Sequence, residues 1–88
     1  MAINYAELGQ RIANFRNKGN LSQEELAFRC EVGHKHISNI ELGKSKPSLE
    51  SLVQIANILN VSADDLLVDS LMHSTSTADT EIHRLLLD

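Results

Sequence analysis

Between Leu21 and Gly43 the chain reads LSQEELAFRCEVGHKHISNIELG, and this stretch constrains the fold more than any other. Ser22, with Glu25 three residues on, is a capping box. Each of the two side chains takes up an amide N–H that the start of a helix otherwise leaves unpaired. The helix so opened is expected to end near Arg29. Glu31-Val32-Gly33 then reads as a tight turn. A second helix is expected from about His34 to Leu42, with Gly43 where a left-handed C-terminal cap belongs.

At about 3.6 residues per turn, Ile37 and Ile40 share one face of that second helix, so Lys35, Ser38, Asn39 and Leu42 point the other way. His34 and His36 lie on the flanks. Two short helices joined this way have the outline of a helix-turn-helix. A helix that buries two isoleucines and turns Lys, Ser, Asn and His outward carries donors and acceptors suited to base edges and phosphates in a major groove. The same pattern also fits a plain solvated face, and periodicity alone does not choose between the two.

The 88 residues suit one small domain. With aromatics at 3%, the core must be built from Leu, Ile, Val and Ala, which favours packed helices over a sheet. No apolar run approaches the roughly 20 residues that cross a bilayer, and MAINYAEL lacks the charged and apolar regions of a signal peptide, so a cytoplasmic protein is expected. The single cysteine, Cys30, cannot form an internal disulfide, in keeping with a reducing compartment. It reads as core packing, because only Arg29 beside it is cationic. The net charge of −4 argues against a nucleic-acid partner until it is divided. Residues 1–46 hold seven basic and five acidic groups, a net of +2, whereas residues 47–88 hold one basic and seven acidic, a net of −6. The cations thus gather around the two-helix unit, where a phosphate-facing surface would lie. So weak a positive charge gives modest non-specific affinity, and tight binding would need specific contacts or dimerisation.

Elsewhere, Asn4 can cap a first helix running to about Lys18, with Leu8, Ile12 and Phe15 on one stripe. Gly19-Asn20 breaks it. Gly43-Lys44-Ser45-Lys46-Pro47 is a short basic loop, and Ser48 caps a fourth helix bearing Leu52, Val53, Ile55, Ala56 and Leu59, apolar enough to be placed at the centre. Asn60-Val61 turns the chain, and Ser62 with Asp65 caps a short fifth helix carrying Leu66, Leu67 and Val68. The fold class is therefore all-α. Residues 1–69 are read as the domain, and residues 70–88 as a linker followed by a possible helix. Ser76 and Asp79 could cap that helix, which bears Ile82, Leu85, Leu86 and Leu87. Such an apolar cluster docks back on the domain, pairs with a second copy or leads into further sequence. Pairing is the working expectation, and a protein partner on this tail is the alternative.

The segments LSQEELA, ISNIELGK and PSLESLVQIANILNVSADDLL resemble the lambda-repressor/Cro-like helix-turn-helix family, or Xre family, of bacterial and phage transcription regulators. The resemblance covers about residues 5–69. It implies a five-helix domain whose third helix enters the major groove, commonly as a homodimer on the half-sites of an inverted repeat about one helical turn apart. By that resemblance Gln23 binds phosphate and braces the first residue of the recognition helix, here His34. His34, Lys35 and Asn39 occupy base-reading positions, with Ser38 and His36 near the backbone or flanking bases. Lys44 and Lys46 match a phosphate-gripping loop. Arg16 and Glu41 match an ion pair that ties helix 1 to helix 3, although Glu41 also reads as an exposed carboxylate.

Two departures stand out. Glu31 replaces a common turn glycine, at a cost of about 1 kcal/mol if held at positive φ. Gly33 replaces a Ser or Thr cap, weaker by a few tenths of a kcal/mol. These departures leave room for a differently shaped turn, and with it a different pose of His34. Leu42 on the outer face is also unusual for the family, and suits either a thymine methyl or a place under the loop.

An enzyme is not expected. His34 and His36, two residues apart, point about 200° from one another on a helix, and no carboxylate or thiol completes a metal set with them or with His73 and His83. No nucleophile with base and orienter, and no phosphate loop, is present, so neither metal nor cofactor is implied. The resulting expectation is a sequence-specific double-stranded DNA-binding regulator, a repressor by the family's habit. The competing class is a protein-interaction module of the same fold, such as an antitoxin or coactivator.

Overall fold

The computed structural model describes residues 2–71, which form five helices and, among the described residues, no strand. They are α1 (Tyr5–Lys18), α2 (Gln23–Cys30), α3 (His34–Glu41), α4 (Leu49–Leu59) and α5 (Ala63–Leu67). The expected all-α architecture is what the described residues adopt. The tail residues named above, with their possible helix, lie outside the described residues.

Short polar residues start the helices, with α3 the exception. The side chains of Asn4, Ser22, Ser48 and Ser62 each accept from the backbone N–H three residues on, and Ser22 and Ser62 complete capping boxes with Glu25 and Asp65. Residues that tolerate left-handed backbone turn the chain between helices, Asn20 at φ 58° and Asn60 at φ 59°. The expected helix ends shift by one residue: α2 runs on to Cys30, and α3 stops at Glu41.

Leu8, Ile12, Leu26, Ala27, Cys30, Ile37, Ile40, Leu52, Ile55, Ala56 and Leu66 make one core drawn from all five helices. The apolar positions predicted from periodicity are largely these. Cys30 is buried, and burial pushes its thiol pKa up, which keeps it neutral and unreactive. The expectation that α4 alone is central needs correction. It packs on α1, α2 and α5, but α1 packs on α3, α4 and α5 and shares that place. Val53 of α4 is half exposed, because a helix against one layer of neighbours can bury only one stripe.

The end of α5 is fastened to α1. Arg11 Nη2 donates to Asp69 Oδ1 at 3.2 Å, and the Asn4 backbone N–H donates to the Ser70 hydroxyl at 2.8 Å. The Arg11 hydrogen bonds hold the Asp69 carboxyl below its usual range, and the cap made with Ser62 does the same for Asp65. A carboxyl depressed in the folded state stabilises it above the unfolded value of about 3.9, and that stabilisation is lost as pH falls through the folded value. The melting temperature is therefore expected to fall below about pH 4, and Asp69→Asn to flatten the fall. Identical pH profiles for the two proteins would remove Asp69 from the cause.

Candidate nucleic-acid interface

Glu31 does not reshape the turn before α3. Glu31 sits at φ 58° and ψ 40°, the left-handed conformation a glycine would adopt. The Val32 N–H donates to the Ala27 carbonyl at 3.0 Å, and the Val32 side chain packs against the core. This closes the end of α2 and outweighs a strain of about 1 kcal/mol. Gly33 is the N-cap of α3 in extended backbone, and no side chain caps that helix.

On α3, Ile37 and Ile40 are each 1% exposed. His34 and Lys35 stand exposed, and His36, Ser38 and Asn39 are half-buried. Leu42, at 61% exposure, ends the same surface. Beyond it the backbone N–H groups of Lys44 and Ser45 both donate to the Asn39 carbonyl, at 2.9 and 3.2 Å, which folds the basic loop back over the end of the helix. Lys44 and Lys46 are exposed there. The Lys46 ammonium lies 5.4 Å from the centre of the Tyr5 ring, a cation–π contact that ties the loop to α1.

Four of the residues singled out from the sequence meet in one chain of hydrogen bonds. Arg16 grips Glu41 with two parallel bonds, Nε to Oε2 at 2.7 Å and Nη2 to Oε1 at 3.0 Å. Gln23 Nε2 donates to the same Oε1 at 2.9 Å, and Gln23 Oε1 lies 3.0 Å from His34 Nε2. Arg16 Nη1 also donates to the Leu21 carbonyl at 2.9 Å, so one guanidinium joins α1, the α1–α2 linker and α3. The pair is nearly out of water, with side chains 12% and 6% exposed for Arg16 and Glu41. Glu41 is thus no exposed carboxylate. A buried fork of this kind fixes position as much as it adds energy.

Two glycines place α3, and only one drew notice in the sequence. A Cβ on Gly9 would fall 2.4 Å from the carbonyl oxygens of both Ile40 and Glu41, so α1 and α3 approach backbone to backbone at that point. Gly43 stands at φ 77°, and a Cβ there would lie 2.9 Å from the Ala6 Cα. Gly9 and Tyr5 were not predicted as part of this surface. A glycine inside a helical pattern was a signal, but nothing local says which helix approaches it. Among the described residues no group of three or more His, Cys, Asp or Glu could hold a metal, and no helix is long and apolar enough to cross a membrane.

A helix-turn-helix family model, HTH_3, matches residues 12–66. The control protein C.BamHI of Bacillus amyloliquefaciens is 42% identical over 60 residues, which are 67% of this chain and 74% of that protein. The restriction-modification controller protein C.AhdI from Aeromonas hydrophila superimposes with a TM-score of 0.69 at 28% identity, over 74% of this chain and 98% of the other. SinR, a master regulator for biofilm formation whose structure was solved in complex with DNA, superimposes with a TM-score of 0.64 at 34% identity, over 68% and 97%. Relatives of this kind are transcription regulators and not enzymes. With its two-helix unit, its outward-facing α3 and these likenesses, the chain belongs to the HTH_3 helix-turn-helix family and is a DNA-binding transcriptional regulator of the Xre, lambda-repressor-like type.

Proposed function

We propose that the protein is a cytoplasmic repressor that binds an inverted-repeat operator as a homodimer, with α3 in the major groove. His34, Lys35 and Asn39 read bases, and Gln23, His36, Ser38, Lys44 and Lys46 hold the backbone or flanking positions. Residues 1–69 form the DNA-binding unit, and residues 70–88 serve as linker and possible pairing helix. The observation that carries this reading is the fastening of α3 by its apolar face, its two isoleucines sealed in the core while His34 and Lys35 stand exposed. Leu42 offers an apolar contact to a thymine methyl. A net of +2 over residues 1–46 gives one copy few phosphate contacts, which favours two copies on one site.

Selection of bound duplexes from a random pool at a fixed salt concentration tests the reading. An enriched inverted repeat with half-sites about 10 base pairs apart is expected. Absence of enrichment would move the weight to a protein-interaction module. Lys35→Ala and Asn39→Ala are expected to relax base preference at single positions, by roughly 1–3 kcal/mol per bidentate contact. Unchanged preference would take them out of base reading. Lys44→Ala is expected to weaken all sequences about equally and to reduce the salt slope by about one unit. A loss confined to some sequences would make Lys44 a base reader instead.

A further inference from the structure

The bond chain from Arg16 to His34 has a direction, because two of its members can only donate or only accept. Arg16 donates through every N–H, and the Glu41 carboxylate in its fork only accepts. The end of the Gln23 amide that faces Glu41 must therefore be its NH2, and the amide oxygen is left facing His34. An amide oxygen accepts only, so His34 Nε2, 3.0 Å away, must carry the hydrogen. A neutral imidazole has one N–H, which leaves Nδ1 bare. Turning either group round fails. A flipped Gln23 would set its oxygen against the Glu41 carboxylate, and the other tautomer would set two lone pairs together at Nε2.

We infer that Gln23, oriented by the Arg16–Glu41 pair, locks the neutral ring of His34 in the Nε2–H tautomer, so that Nδ1 of this exposed α3 residue can accept a hydrogen bond but not donate one. In the major groove an acceptor pairs with the amino groups of cytosine N4 or adenine N6, and is repelled by guanine N7 and O6 and by thymine O4. The base-reading part rests on the proposed function. The tautomer does not, since it is a property of the free protein.

Two measurements test this. Long-range nitrogen–proton correlation spectra of the 15N-labelled full chain are recorded at a pH where the ring-nitrogen shifts themselves show neutral imidazoles. His34 is expected wholly as Nε2–H. In Gln23→Ala its two tautomers should exchange, while His36, outside this bond chain, should keep its wild-type signature. An Nδ1–H signature for His34, or one that Gln23→Ala leaves unchanged, overturns the lock.

The second measurement uses selected duplexes, at the base pair where His34→Ala loses preference. Replacing the amino-bearing base there with an analogue lacking the amino group is expected to weaken the wild-type protein about tenfold and the variant hardly at all. If the loss follows instead the removal of a purine N7, the acceptor assignment is overturned. Failure to select any duplex overturns the base-reading half together with the proposed function, while the spectra still decide the lock.

Discussion

Arg16→Ala is expected to lower stability by about 3–5 kcal/mol. The change leaves the Glu41 carboxylate, 6% exposed in the intact pair, with only the Gln23 amide against it, and leaves the Leu21 carbonyl without its guanidinium donor. A buried charge without its partner costs far more than the intact pair contributes. In a domain of this size each kcal/mol is worth about 4–8 °C, so the melting temperature should fall by more than 10 °C. Lys18→Ala supplies the comparison. Lys18 lies 5.7 Å over the Phe15 ring at the exposed end of the same helix, a contact worth about 0.5–1 kcal/mol. Equal melting temperatures for the two variants would mean that the Arg16–Glu41 pair does not hold α1 to α3.

Gly9→Ala is expected to destabilise by about 1–3 kcal/mol, although alanine is the better helix former by about 1 kcal/mol. The added methyl meets two backbone carbonyl oxygens at 2.4 Å, and neither can rotate away as a side chain would. Helix α3 must then shift at its C-terminal end, so affinity for a selected duplex should fall further than stability does. Gly19→Ala is the control, for its Cβ would meet ordinary contacts at 3.6 Å and its φ of −85° suits alanine. Urea unfolding of the three proteins reads the difference. A Gly9→Ala protein as stable as wild type would show that the two backbones do not meet there.

Much of the surface that carries α3 is legible in the chain for a local reason. Capping boxes at Ser22 and Ser62, the Asn20 and Asn60 turns and the spacing of Ile37 and Ile40 are satisfied within a few residues, so order along the chain is enough to find them. Glu31 misled because its turn is held by contacts that propensity does not count, the Val32 N–H on Ala27 and the Val32 side chain in the core. The Arg16–Glu41 pair came from a family likeness and not from spacing, since 25 residues separate its members.

The sequence by itself determined the five helices, their caps, the apolar stripes and the outward set on α3. All of these follow from interactions a few residues long, which compete with nothing distant. Only the tertiary structure decided how close α3 lies to α1 at Gly9, which atoms Arg16 and Gln23 use, and where Lys46 rests on Tyr5. Those depend on distances between helices, which are fixed by core packing to fractions of an ångström and leave no periodic mark in the chain.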